Sequence, residues 1–576
     1  GGAIVPRTTN QEAFAHPQVT SLTTAAGRTI SLPNFDAAAW SALASKDYNV
    51  DGNLWAPDII YNPVMNKWCQ YLSINGDSWA SSVVLLTADN INGPYVYQGP
   101  VVIGGFNGKN ANSYKNTDLE QVVVTQAALP SRYNKQAKWG DTWPNCIDPC
   151  VFYDENGQLW MSYGSWSGGI FMLKLDAKTG LRDYDATYPL TGSGANYTSD
   201  PYFGKKIAGG YYASGEGSYI QHIGDYYYLF MSYGGLTSDG GYEMEVFRSK
   251  NPDGPYVDPK GTSALFDRYL LNYGTNGSFR GEKILGNYEN WGFMTTGKKT
   301  SFSTPGELSQ GHNSAITDAQ GRSFLIYHTR FNDGSEGHTV RVHQLFTTSN
   351  GWLAAAPFEF TGETVNDDSI ATRQRFSAHE LAGTYQVLVH KQGVDYINRE
   401  TVKPIAVTLT EDGKVTGALT GTWSLTEGTS YMTLKAGGDT YQAVVVEQHM
   451  EPYTIKAIAF TGVGTAATVW GYKMADAYAL SYLLRTATMP VGQGKTVNSN
   501  VNLYGVTQGY DNVSVAWKSS NPTILSDDGR YNPEAMTADN MPVDLVMTLT
   551  SGDWQCVDTF SVTVRNTTIP HQADIH

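Results

Sequence analysis

Apolar and polar residues along this chain alternate in short runs, and four stretches share one layout. The clearest is residues 145–165, N-C-I-D-P-C-V-F-Y-D-E-N-G-Q-L-W-M-S-Y-G-S. Asp148-Pro149 heads an apolar run, Asp154-Glu155-Asn156-Gly157 supplies turn residues, and a second apolar and aromatic run follows. Two such runs joined by Asx and Gly residues predict a β-hairpin. The layout recurs three times. Trp55-Ala56-Pro57-Asp58 precedes I-I-Y and K-W-C-Q-Y-L-S. Glu216-Gly217-Ser218 precedes Y-I-Q-H and Y-Y-Y-L-F-M-S-Y-G. His312-Asn313-Ser314 precedes A-I-T and R-S-F-L-I-Y-H. A second repeat pairs T-A-D-N-I-N-G-P-Y-V (87–96) with R-S-K-N-P-D-G-P-Y-V (248–257). All-β repeats at intervals of roughly 70 to 100 residues predict an array of propeller blades. In such an array the heads of the innermost strands converge on the axis. Asp58, Asp148, Glu216 and His312 are then expected to meet in one central pocket, with Trp55 as the rival for the position of Asp58.

The same pattern divides the chain. Residues 1–375 form the repeat domain, with a short helix expected at 35–46 and Asn34 as its N-cap. Two long polar insertions, 104–141 and 258–309, are expected to wall the pocket, since loops of that length are usually functional. A polar, unpatterned stretch at 361–375 marks a boundary. Residues 376–476 then alternate in short strands, predicting a small antiparallel barrel or sandwich. Residues 477–576 predict an immunoglobulin-like sandwich around a core Trp517.

Composition narrows the partners. Of 576 residues, 37 are Tyr and 14 are Trp, and the formal charge is −15. That acidity argues against nucleic acid or an anionic membrane as partner. The aromatic content fits secreted proteins that handle carbohydrate, where ring faces stack on sugars; the expectation is a monomer, secreted or at the cell surface or in the periplasm of a bacterium. No run is long and apolar enough for a membrane-spanning helix. Cys69, Cys146, Cys150 and Cys556 lack metal-ligand spacing and are expected to be free, buried thiols.

A pocket holding carboxylates but no nucleophile–histidine pair suits glycoside hydrolysis, which needs one acid to protonate the leaving oxygen and a second carboxylate. Glu216 is the candidate acid: Gly215 and Gly217 allow close approach, and its aromatic-rich strand shields it from water. Asp148 is the candidate second carboxylate, and His312 the candidate ligand of a central cation. His328, His338 and His343 read as ordinary strand residues.

W-A-P-D-I, N-C-I-D-P, Y-G-S-W-S-G-G-I-F, G-E-G-S-Y-I, Ser303-Thr304-Pro305 followed by Gly311-His312-Asn313-Ser314, and H-T-V-R-V-H-Q-L-F together resemble glycoside hydrolase family 43. The branch they resemble is the two-domain endo-1,5-α-L-arabinanases, over about residues 50–475. The resemblance implies a five-bladed propeller and inverting hydrolysis of arabinan. It implies that Glu216 is the general acid and that Asp148 tunes and orients it. It implies that His312 holds a largely water-coordinated cation, calcium or sodium, with no organic cofactor. Trp55, Asn145, Ser165 and Trp166 match the sugar-contacting region. An enzyme of this fold acting on other furanosides or xylosides, and a non-catalytic arabinan-binding propeller, are the rival readings.

One expected element is missing. The family's base is an Asp in an H-D-P motif upstream of W-A-P-D, and no such motif precedes Trp55. The last six residues, H-Q-A-D-I-H, resemble the run-in to that motif, and Gly1-Gly2-Ala3 resembles the exit from it. The termini are therefore expected to flank an absent segment of roughly 20 residues, about one hairpin. Otherwise Asp36, Asp47 or Asp51 is expected to face Glu216 at roughly 6.5–9.5 Å, the spacing of inverting enzymes.

Overall fold

A computed structural model describes residues 10–43, 45, 47–106, 111–134, 139–211, 214–268, 280–292, 303–393, 401–450, 455–474, 490–503, 514–551 and 554–568. Both termini lie outside these residues, and so does the expectation that they flank one segment. Each of the four hairpin copies seeds its own antiparallel sheet. The inner strands are Leu54–Asn62, Cys150–Tyr153, Glu216–Ile223 and Glu307–Thr317. The first, third and fourth sheets have four strands, and the second has five. Consecutive inner strands touch, 54–62 against 150–153, then 216–223, then 307–317. Apolar clusters fill the spaces between successive sheets. Such an array of sheets, packed face to face with inner edges converging, is a propeller arrangement.

The second repeat is structural. Gly93 and Gly254 each follow the third strand of a sheet, with positive φ of 85° in both. Tyr95 Oη donates to Ile91 O and Tyr256 Oη to Pro252 O, the same turn closed by the same ring.

A serine late in the second strand of each of the first three sheets ties neighbouring sheets together. Asp148 N donates to Ser73 Oγ (2.9 Å) and His312 N to Ser232 Oγ (2.8 Å). Ser162 Oγ and Ser218 Oγ lie 3.2 Å apart. Each of these serines thus reaches the head or inner strand of the following sheet, and at Ser73 and Ser232 a backbone N–H that would cost free energy if buried unpaired is satisfied.

Some expectations need correction. The helix expected at 35–46 is only Ala37–Ser41, and its N-cap is Asp36, whose Oδ1 accepts from Ala39 N. The stretch 361–375 contains a helix, Asp367–Thr372, begun by a capping box of Asn366 and Ser369. Among the described residues, neither long insertion lines the central cavity. Residues 111–134 instead pack outward, where Tyr184 and Tyr202 hydroxyls donate to buried Asp118 and Tyr133 donates to Asp200.

The second module is a closed barrel of eight strands, Gly383–Lys391 through Ala467–Met474. The short strand Lys414–Gly417, lost in turn residues, completes the ring. The barrel docks through aromatic residues: Trp291 stacks on Phe358 and Trp470, with Tyr472 edge-on at 4.8 Å. Rings buried this way contribute about 2–3 kcal/mol each. The third module shows one four-stranded sheet with Trp517 in its core, its Nε1 donating to Leu503 O. Cys69, Cys146 and Cys150 are free and buried, as expected. The side chain of Cys556 lies outside the description.

Candidate active site

Each inner strand turns its head with a residue in the left-handed region: Ala56 (φ 39°), Asp148 (57°), Gly217 (59°) and His312 (47°). For the three non-glycines this costs of order 1 kcal/mol each, and such strain collects at functional sites. These positions give the true register of the repeat. Asp148 and His312 are equivalent to each other, and to Ala56 and Gly217. Glu216 lies one residue earlier, level with Trp55. Asp58 lies two residues later, level with Cys150, Tyr219 and Ser314. The four polar residues expected at one level therefore occupy three.

These heads line a cavity of about 350 Å³, into which Asp58, Asp148 and His312 open. Glu216 is fixed just above by three donors. Ser165 Oγ (3.1 Å) and Trp166 Nε1 (2.9 Å) donate to Oε2, and Tyr242 Oη (2.7 Å) donates to Oε1. Gly217 N donates to Asp148 Oδ2 at 3.2 Å, joining the two acids through one backbone link. Burial pushes the Asp148 carboxyl up to about 6; His312 opposes the rise and Glu216 adds to it.

The structure brings Glu216, Asp148, Ser165, Trp166 and His312 together. Asn145 bridges Ser165 across the strand pair, with Asn75 at 3.5 Å. Trp55 is 44 % exposed, its ring free to stack while Nε1 donates to Gly52 O. Tyr242 was missed. It is 26 residues from Glu216 in a Gly-Gly-Tyr run with no local signal, and only the close approach of Gly311 to its ring marks the place. His328 was misjudged, because it lines the cavity, stacks at 5.8 Å on Tyr242, and has a buried Nδ1 without a partner. Burial and neighbouring His312 pull it down to about 4.

Asp58 is a staple between sheets. Its Oδ2 accepts from Val151 N (2.6 Å) and its Oδ1 from Ile59 N (3.0 Å). It is half-buried by surface, yet each oxygen takes a backbone donor, and the depth of protein around the carboxyl pushes it up to about 6. Asp36 caps its helix, and Asp47 and Asp51 are exposed; none of them lines the cavity. Lys206 runs beneath the Trp166–Gly169 turn, 5.5 Å over the Phe171 ring, and burial pulls its ammonium down to about 7. Among the described residues, no three of His, Cys, Asp and Glu gather as a metal cage.

A carboxyl held by three donors beside a second, desolvated carboxyl, at the mouth of converging sheets, fits a glycosidase of the propeller type. Residues 105–353 match the model of glycosyl hydrolases family 43, 357–471 that of its C-terminal lipocalin-like domain, and 483–567 that of an atrophied bacterial Ig domain. The chain is 34% identical over 432 residues to extracellular endo-alpha-(1->5)-L-arabinanase 2 of Bacillus subtilis, covering 73% of this chain and 79% of that one. It is 35% identical over 433 residues to the extracellular endo-alpha-(1->5)-L-arabinanase of Thermotoga petrophila, covering 74% and 80%. In structure it is similar to the family 43 YxiA protein of Bacillus licheniformis (TM-score 0.58, 34% identity, 73% and 83% covered). It is likewise similar to the Thermotoga petrophila endo-1,5-alpha-L-arabinanase (TM-score 0.59, 32%, 76% and 86%). The chain belongs to glycosyl hydrolase family 43.

Proposed function

We propose that this protein hydrolyses α-1,5-linked L-arabinofuranosyl bonds of arabinan, with inversion, on a five-bladed propeller. The observation that carries this reading is the three-donor clamp on Glu216 beside Asp148; the two named arabinanases support the substrate. Glu216 acts as general acid. Its Oε2 already takes two donors and its Oε1 only one, so Oε1 has the site for the proton passed to the leaving oxygen. Asp148 holds Gly217 N and so orients the acid. Trp55, Asn145, Ser165 and Trp166 contact the sugar chain. Water attacks from the opposite face of the ring.

The residues present fit a cation. His312, His328 and Asp148 face one cavity with room for water, and Asn313 Oδ1 is buried there without a partner. His312 would hold calcium, or sodium, largely through water, and a bound cation would supply positive charge beside Asp148. The names of the relatives support an extracellular location, and no described helix is long and apolar enough to cross a membrane. A monomer suits an enzyme acting on a polymer. A second reading, a non-catalytic arabinan-binding propeller, is favoured by one observation: the described acids lining the cavity are Asp58 and Asp148, and Asp58 is occupied by backbone donors.

The test is incubation of the purified protein with linear debranched arabinan, following reducing ends and the anomeric form of the first product by NMR. New reducing ends in the β form establish inverting cleavage of the α-linkage. Binding without cleavage supports the second reading, and neither binding nor cleavage refutes both.

A further inference from the structure

A second cavity, of about 260 Å³, lies at the rim of the fourth sheet and includes one residue of the accessory barrel. Its walls are Ser238 and Asp239 from the 234–241 loop, Asn287, Phe331 and Asn332 from the propeller, and Thr401 from the barrel. Two clasps hold these walls. Ser238 donates through N (3.1 Å) and Oγ (2.5 Å) to Glu336, which also takes Arg330 Nε (2.8 Å), locking the 234–241 loop to the 332–337 loop. Val402 N donates to Asn287 O (2.8 Å) and Glu289 N to Val402 O (2.9 Å), fixing neighbouring Thr401 against the propeller.

The cavity is mechanically continuous with the catalytic cleft. Leu308 lines it, and His312, four residues along the same strand, lines the central cavity. At roughly 3.3 Å per residue these are at most about 13 Å apart. The 234–241 loop that gives Ser238 and Asp239 leads directly to Tyr242, which holds Glu216. Ser309, between Leu308 and His312, donates through N to Asn287 Oδ1 and through Oγ to Thr237 O.

The lining selects a ligand class. Its described lining residues offer hydroxyl, amide and carboxylate groups beside one half-buried aromatic ring, with no Lys, Arg or His among them. An anion finds no cationic partner among these residues. A neutral polyol finds donors, acceptors and an apolar face together. The volume, just below the roughly 300–1,000 Å³ of small-ligand sites, suits a sugar ring.

We propose that this cavity is a distal glycan subsite, which takes a furanosyl unit of a bound arabinan chain away from the scissile bond, and that the accessory barrel completes it through Thr401. The proposal rests on the arabinan reading above. A long chain then bridges the cleft and the subsite, and a short one cannot.

The experiment uses the full chain carrying Glu216→Gln to stop turnover, titrated calorimetrically with linear α-1,5-arabinotriose and arabinohexaose. The hexaose is expected to bind about three- to tenfold tighter, the gain from one or two neutral hydrogen bonds. Thr401→Trp, which fills the cavity from the barrel side, and Phe331→Ala, which removes its ring from the propeller side, should each abolish that gain and leave triose affinity unchanged. The subsite is overturned if the hexaose has no advantage, if both variants keep it, or if triose affinity falls with it. Binding of neither sugar overturns the arabinan reading itself.

Discussion

Asp58→Asn separates a structural acid from a catalytic one, and its effect on stability is expected to change sign with pH. The carboxyl rises from 3.8 to about 6, chiefly through burial, while the Val151 and Ile59 N–H groups hold it back. At 1.36 kcal/mol per tenfold, keeping Asp58 ionised in the folded protein costs about 3 kcal/mol at neutral pH. Between pH 3.8 and 6 the folded state binds more protons than the unfolded one, so this group makes stability fall as pH rises through that window. The amide oxygen of the variant can still accept from Val151 N, but the Ile59 contact is lost, at about 1 kcal/mol. Net stabilisation at pH 7 is therefore about 2 kcal/mol. For a unit of about 300 residues that is about 3 °C in Tm. At pH 4 the folded carboxyl is neutral and only about 0.5 kcal/mol of the ionisation cost remains, so the variant should be about 0.5 kcal/mol less stable. Calorimetric melts of both proteins at pH 4 and pH 7, with arabinan cleavage measured at pH 7, check the argument. Activity should be within threefold of the parent, because both Asp58 oxygens face backbone donors. A hundredfold loss of activity in a folded variant, or a Tm difference that does not move with pH, would refute the reasoning.

Other outcomes follow from the same geometry. Glu216→Gln should lower arabinan cleavage by about 10²–10⁴-fold with substrate binding retained, as loss of a general acid does; near-parental rates would remove it from that role. Tyr242→Phe deletes one donor to Glu216 and keeps the ring that packs on Gly311, so kcat should fall about 10-fold with KM unchanged. Lys206→Met should raise Tm at pH 7, because burial lowers the folded lysine from 10.5 to about 7; its stability deficit is full below pH 7 and closes as pH rises towards 10.5. If His312 holds a cation, prolonged chelation should lower activity, calcium should restore it, and His312→Ala should make the protein indifferent to both.

The hairpins were legible because a strand declares itself locally: period-two alternation and an Asx-Gly turn need no distant information. Seven barrel strands could be read in this way, and the eighth, Lys414–Gly417, was hidden because K-V-T-G looks like turn. The register of the strand heads was not legible. It depends on which residue adopts a positive φ, and Asp148 and His312 do so only because neighbouring serines and the converging sheets hold them. That is why Asp58 seemed to share their level. Tyr242 and His328 were invisible for a related reason: each gains its role from a sheet partner far away in sequence. The helix start at Asp36 was misplaced by two residues because Asn34 and Asp36 are both good caps, and packing of Trp40 chose between them.

The serines that join one sheet to the next have a consequence for how this enzyme fails. Asp148 sits on the second sheet but is pinned from the first, and His312 sits on the fourth but is pinned from the third. No sheet owns its own reactive residue outright. Opening the first sheet therefore disarms a residue of the second, and opening the third a residue of the fourth, so inactivation on mild heating should run ahead of melting, with the first protease-sensitive cut marking the moment the reaction stops.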